Sequence, residues 1–187
     1  MIKNKIRTLK IIDIKEECED VKTFTLKTSD FPTKEIEQPQ PGQFLMLWVP
    51  GIDEIPMSFS GVDNMGNWQI TVKKVGECTE SLFKIKKQDF VGVRGPLGNS
   101  FTVPTDKNSK IFLVGGGTGL APLRFLSKEL RKKEYDFILL EGAKVHKELI
   151  YVKEFGDLDT YFCTEDGSYG EKGLVTEVFK SLLTNNL

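Results

Sequence analysis

The chain has 187 residues, with 26 basic and 27 acidic side chains and a formal net charge of −1. That is room for one well-buried domain or two small ones, and the charge gives no footprint for nucleic acid or a charged membrane surface. No apolar run approaches the roughly 18 residues of a membrane span, and the basic start MIKNKIRTLKIIDIKEE alternates apolar with charged positions instead of building a signal-peptide core. A cytoplasmic protein is expected. Cys18, Cys78 and Cys163 lie far apart, and His146 is the single histidine. They supply neither a disulfide framework nor metal-ligand spacing, so no metal is expected and the cysteines read as small, partly buried apolar residues.

From the N-terminus to about residue 103 the chain runs through short β-type segments: IRTLKIIDIKEE, VKTFTLKT, GQFLMLWVPG, SFSGVD, NWQITVKKV and FVGVRGPLG. Six such segments between turn residues predict an antiparallel barrel or sandwich, interrupted only by helix-like residues 80–87. In PMSFS, Pro56 fixes the backbone just ahead of the hydroxyls of Ser58 and Ser60, with Met57 and Phe59 between them. Those hydroxyls suit the edge of a planar heterocycle, while an ordinary strand start fits equally well. GECTESL, with Gly76, Cys78 and Thr79, reads as strand end, turn and helix start. Thr79 is the predicted N-cap and Leu82 and Phe83 the buried face; the turn is either a capped helix end or an anion site.

Polar residues 104–110, PTDKNSK, read as a linker, which divides the chain into residues 1–104 and 105–187. Beyond it, IFLVGGGTGLAPL places an apolar strand directly before Gly115, Gly116 and Gly117. Glycines there lack the Cβ atoms that would block a tight turn and a ligand's close approach. Thr118 is the predicted cap of a helix over residues 121–132, whose free amides and dipole favour a phosphate. Then follow the strand DFILLEGA, the helix-like HKELIYVKEF, the strand TYFCTE and a last helix, GLVTEVFKSLL. Such alternation predicts parallel βαβ units with helices on both faces. Glu141 ends the second of these strands, where an acid often holds ribose hydroxyls and favours NAD, whereas Lys144, beside His146, would attract the extra phosphate of NADP. Cys163 ends a strand at the sheet edge where ligands bind in open α/β folds; strand-end packing accounts for it as well.

Taken together and in order, PGQFLMLWVPG, PMSFS, GECTESL, GPLGNSF, LVGGGTGLAPL and DGSYGEKG resemble the ferredoxin–NADP reductase superfamily. Within it, the sequence is similar to the electron-transfer subunits of the B-type, NAD-linked dihydroorotate dehydrogenases. The resemblance implies a six-stranded antiparallel flavin-binding barrel followed by a parallel-sheet domain for a pyridine nucleotide. It implies FAD and NAD(H) as cofactor and co-substrate, and Ser58 as the residue that hydrogen-bonds the flavin ring near its hydride-accepting nitrogen. Pro56 to Ser60 would line the ring, and Gly76, Cys78 and Thr79 would meet the flavin diphosphate. Gly98 and Asn99 would close the barrel domain beside the flavin. Gly115, Gly116, Gly117, Thr118, Gly119 and Pro122 would support the dinucleotide, with Asp166 and Gly167 flanking it. The implied partner is a catalytic oxidoreductase subunit resembling dihydroorotate dehydrogenase, in a homo- or hetero-oligomer.

Two departures stand out. Where the flavin motif carries an arginine two positions before Met57, this sequence has Ile55, leaving a phosphate site short of a bidentate cation. Lys73, Lys74 or Arg94 would have to substitute, or the flavin is the smaller FMN, with FAD still expected from the turn at Thr79. The family's cysteine-rich C-terminal tail for a two-iron cluster is also missing, so no iron–sulfur cluster is expected on this chain. Electrons would leave through a cluster on another subunit, directly from the flavin, or to a different partner. A degenerate regulatory subunit without flavin and a stand-alone NAD(P)H diaphorase are the alternative readings.

Overall fold

The computed structural model describes residues 5–31, 36–156 and 159–185. Six strands close into an antiparallel barrel in the order β1-β2-β5-β4-β3-β6: β1 (Arg7–Cys18), β2 (Val21–Leu26), β3 (Phe44–Val49), β4 (Asp53–Val62), β5 (Trp68–Lys73) and β6 (Phe90–Leu97). All six β-type segments of the sequence become these strands. Alternate residues turn inward, so Leu9, Ile11, Phe24, Leu45, Leu47, Phe59, Trp68, Ile70, Val91 and Val93 fill the interior. Helix α1 (Glu77–Lys84) joins this core through buried Leu82, and Phe83 meets the Phe24 ring edge-on. Closure leaves the barrel no open strand edge.

The second unit is a parallel sheet in the order β10-β9-β8-β7, made of β7 (Phe112–Gly116), β8 (Ile138–Ala143), β9 (Thr160–Thr164) and β10 (Glu171–Lys172). Helix α2 (Leu120–Lys132) covers the face that carries Leu113 and Gly115. Helix α4 (Val175–Asn185) covers the other, with Phe179 edge-on to Phe112 at 5.3 Å and Val175 against Gly142.

Three predicted details change. The run HKELIYVKEF is not one helix: residues 146–148 form a 3-10 turn and only α3 (Val152–Phe155) is helical. Leu149 and Ile150 are buried, the Ile150 amide is taken by Glu141, and Tyr151 sits at φ +61°, so the helical path is broken between them. Strand β10 carried no sequence signal, since two charged residues have no periodicity to read. The units also interleave. Phe125 of α2 packs in the barrel's core cluster, and Val21 of β2 belongs to the sheet's.

Candidate functional site

Between the carboxyl end of the parallel sheet and the β1–β2 turn lies a groove of about 370 Å³. Gly116, Gly117 and Thr118 form one wall, Gly142, Ala143 and Lys144 a second, and Cys18, Glu19, Asp20 and Lys73 face them from the barrel. Gly117 stands at φ +52°, and a Cβ there or at Gly119 would meet nothing within 4 Å. Open backbone of this kind at a strand-to-helix turn is what an approaching phosphate needs. Gly115 serves packing instead, since a Cβ on it would stand 2.9 Å from Leu120 Cδ1 and its absence lets α2 close on β7. Thr118 does not cap α2. Residues 117–119 make a 3-10 turn, Gly119 holds the cap position without a side-chain bond, and Thr118 faces the groove. Pro122 lies in the first turn, where its missing N–H is harmless.

Glu141 does not reach this groove. Residues 142–144 reach the groove at the carboxyl end of β8, while Glu141, one residue earlier and on the α2 side of the sheet with Gly115, is completely buried beneath it. Its Oε1 accepts the Ile150 amide, and Oε2 has no partner among the described residues. Burial pushes the carboxyl up to about 8, against the opposing Ile150 hydrogen bond. The expected ribose ligand is therefore an interior residue. Cys163 is likewise buried, its Sγ against the Glu141 carbonyl, in the packing role. Asp166 and Gly167 lie behind the rim: Asp166 Oδ1 accepts the Ser168 amide and hydroxyl at 2.9 and 2.6 Å, and Ser168 Oγ accepts the His146 amide. His146 stacks on Tyr169 at 4.4 Å, which joins that loop to the one after β8.

On the barrel, the register splits PMSFS between two sides. Pro56 and Ser58 are exposed on the outer face of β4. Met57 packs toward the core and Phe59 is fully inside, edge-on to Trp68 at 5.1 Å. Ser60 is buried against α2: its carbonyl accepts Arg124 Nη1 at 3.0 Å and its Oγ is unpartnered among the described residues. Only Pro56 and Ser58 are thus presented to an outside ligand. Gly98 and Asn99 follow β6 on the exposed surface, and the Gly98 carbonyl accepts Gln43 Nε2 at 3.0 Å.

The turn before α1 also differs from expectation. Gly76, not Thr79, is the N-cap. Buried Thr79 Oγ1 accepts the Val75 and Gly76 amides at 2.9 and 3.1 Å and donates to the Gly76 carbonyl, so the hydroxyl braces the turn instead of facing a ligand. A Cβ on Gly76 would meet nothing within 4 Å, and this open corner leaves first-turn amides, including that of Cys78, for an anion. The acids Glu77 and Glu80 in that turn oppose one, whereas the first turn of α2 has no acid. Ile55 packs on the barrel core. Arg94 is held by Glu54 in a two-pronged pair, Nε–Oε1 2.8 Å and Nη2–Oε2 2.7 Å, which keeps the Glu54 carboxyl below the usual carboxylate range. Lys74 pairs with Asp20 at 3.0 Å, and Lys73 lines the groove opposite the glycine turn, so of the three basic residues only Lys73 reaches that groove and none is seen at the Gly76 corner.

The β1–β2 turn and Lys73 were missed as groove residues because β2–β5 pairing joins them and the packing of the sheet unit against Val21 sets them opposite the glycine turn, neither of which is local in sequence. Both open corners fit phosphate: the Gly116–Thr118 turn suits a dinucleotide, and the Gly76 corner with the Ser58 face of β4 suits a flavin nucleotide. Among the described residues no helix is long and apolar enough to cross a membrane.

Comparison with known proteins agrees with this architecture. Residues 8–101 match the family described as the oxidoreductase FAD-binding domain. The chain is 39% identical over 175 residues to a probable dihydroorotate dehydrogenase B (NAD(+)) electron transfer subunit of Methanocella arvoryzae, covering 92% of this chain and 62% of that protein. Identity to the Thermococcus kodakarensis protein of the same description is 36% over 175 residues, covering 92% and 68%. The chain thus spans about three fifths of the length of the first of these relatives. A solved NADH-dependent reduced ferredoxin–NADP oxidoreductase superposes with a TM-score of 0.80 at 29% identity, over 94% of this chain and 63% of that one. The ferredoxin reductase of carbazole 1,9a-dioxygenase, at 20% identity and a TM-score of 0.82 over 96% and 57% of the two chains, shares the fold. A closed six-stranded barrel ahead of a parallel nucleotide-type sheet, with these matches along it, establishes that the chain belongs to the oxidoreductase FAD-binding domain family.

Proposed function

We propose that this chain is a flavin-dependent electron-transfer subunit that takes hydride from NADH and passes electrons to a catalytic partner oxidoreductase of the dihydroorotate dehydrogenase kind, in the cytoplasm. The observation that carries the reading is the open turn Gly116–Thr118, which faces the barrel across the groove in a member of an FAD-binding family. Residues 1–104 would hold the flavin and 105–187 the nucleotide. Bound FAD supplies the acceptance of a hydride and the release of its electrons, singly or in pairs. The Ser58 hydroxyl orients the ring by a hydrogen bond, and Pro56 limits the strand's freedom beside it. First-turn amides of α1 hold the flavin phosphate, and the match to an FAD-binding domain supports FAD over FMN. Gly116, Gly117 and Thr118 hold the dinucleotide against the barrel and keep water out of the gap. Lys73, Lys144 and Lys147 on the groove are outnumbered by Glu19, Asp20, Glu148 and Glu165, which gives a ribose phosphate no net attraction and supports NAD over NADP.

The decisive measurement is the visible spectrum of the purified protein before and after anaerobic NADH. A yellow protein bleached by NADH is expected. Gly117→Val, which forces a β-branched residue into φ +52°, should keep the flavin and lose most of its reduction by NADH. A colourless chain that takes up neither FAD nor FMN would overturn the reading in favour of a regulatory subunit.

A further inference from the structure

Arg124 lies in the second turn of α2, only 6% exposed. A buried guanidinium is costly unless its donors are met, and those on Nε and Nη1 are met from several elements at once. Nε donates to both carboxylate oxygens of Glu154 on α3 at 2.9 Å. Nη1 donates to the Ser60 carbonyl on β4 and to Gln69 Oε1 on β5, each at 3.0 Å. The guanidinium carbon lies 4.9 Å from the centre of the Tyr151 ring, and the Tyr151 hydroxyl hydrogen-bonds Thr71 Oγ1, which pairs with Thr23 Oγ1 at 2.8 Å. Burial opposes ionisation of Glu154, yet Arg124 and Lys128 outweigh it and hold the carboxyl below its ordinary value. The backbone makes room for this arrangement. A Cβ on Gly61 would stand 2.9 Å from Gln69 Oε1 and 3.2 Å from Arg124 Nη1.

The two ends of this linkage are the two candidate cofactor supports. Helix α2 begins directly after the Gly117–Gly119 turn, and Ser60 lies two residues beyond Ser58 on the same strand. Between nucleotide turn and flavin strand there is thus little more than one helical turn, one side chain and one hydrogen bond. We propose that Arg124 is a positioning residue that fixes the nucleotide turn relative to the Ser58 strand, and so governs hydride transfer without touching either cofactor. This rests on the reductase reading. In that step a C–H bond of the reduced nicotinamide breaks and an N–H bond forms on the flavin, two electrons moving with the proton, so that NADH leaves as NAD+. A misplacement of about 1 Å in such a step costs on the order of a hundredfold in rate.

Arg124→Gln removes the charge, Arg124→Lys keeps it but loses the fork, and Gly61→Ala crowds the guanidinium while leaving every charge in place. In the cofactor-free chain, amide residual dipolar couplings report the orientation of barrel against sheet. One alignment tensor should fit both units of the wild type, and two should be needed for Arg124→Gln and Gly61→Ala. In the loaded protein, the limiting rate of flavin reduction at saturating NADH should fall by about tenfold or more for both variants, with Arg124→Lys intermediate. The FAD and NADH dissociation constants should stay within about threefold, and the flavin–nicotinamide charge-transfer absorbance should weaken. If a single tensor still fits both variants, or the limiting rate is unchanged, the proposal is wrong. Should Arg124→Gln not fold, Gly61→Ala decides alone. A wild type without flavin would sink the reductase reading, and the couplings would still decide whether Arg124 sets the orientation.

Discussion

A carboxyl as completely buried as that of Glu141 ties stability to pH. Its folded-state value of about 8 lies above the ordinary 4.5, so the folded chain keeps a proton that the unfolded chain releases. The stabilising contribution is fully present below about pH 4.5 and is lost as pH rises toward 8. Glu141→Gln keeps an acceptor for the Ile150 amide and removes the titration. It should raise the thermal midpoint by about 5 °C at pH 8.5, equivalent to roughly 2 kcal/mol, and by little at pH 4.5. An equal rise at both pH values would show that ionisation is not the cause. Glu141 was legible in the sequence as an acid at a strand end, but not the side of the sheet it faces. That side depends on a register of period two, in which a shift of one residue exchanges ribose ligand for interior acid.

The turn into α1 shows how one hydroxyl organises an element. Thr79 Oγ1 accepts the Val75 and Gly76 amides and so ties the end of the preceding strand segment to the first turn of α1. Thr79→Val should cost about 2 kcal/mol by urea denaturation and weaken FAD binding about tenfold, although the hydroxyl faces away from any ligand. Stability lost with affinity intact would mean that the corner does not hold the diphosphate. The sequence correctly announced a helix start here and after Gly117, and in both cases misassigned the cap. A threonine near a helix start signals a cap by composition, and whether it holds N-cap or N3 depends on backbone angles that the preceding glycines leave free. The broken run at residues 146–155 has a related cause: its local pattern suits a helix, but the buried Glu141 acceptor takes the Ile150 amide.

The two units share their cores, and this bears on how the molecule unfolds. Phe125 leaves the sheet unit to pack among barrel residues, and the Arg124 linkage runs beside it. Heating should therefore give a single transition, with the fluorescence of Trp48 and Trp68, both on barrel strands, coinciding with far-ultraviolet circular dichroism. Phe125→Ala removes the ring that bridges the two cores and should cost about 3–4 kcal/mol and separate the two probes. Two transitions already in the wild type would mean that the shared packing does not couple the units. The linker composition of residues 104–110 suggests independent halves, and nothing local to it reveals that α2 is packed on both.

By itself the sequence determined the two kinds of architecture, the order in which they occur and the glycine turn between β7 and α2. These depend on local periodicity and on residues whose conformational freedom is visible one at a time. The tertiary structure alone decided which side of each strand meets the groove, that Glu141 and Ser60 are interior while Ser58 is not, and that the β1–β2 turn and Lys73 complete the site. It also decided that Arg124 joins the two units. Those facts depend on barrel closure and sheet register, which bring together residues dozens of positions apart, and no local spacing encodes such a distance.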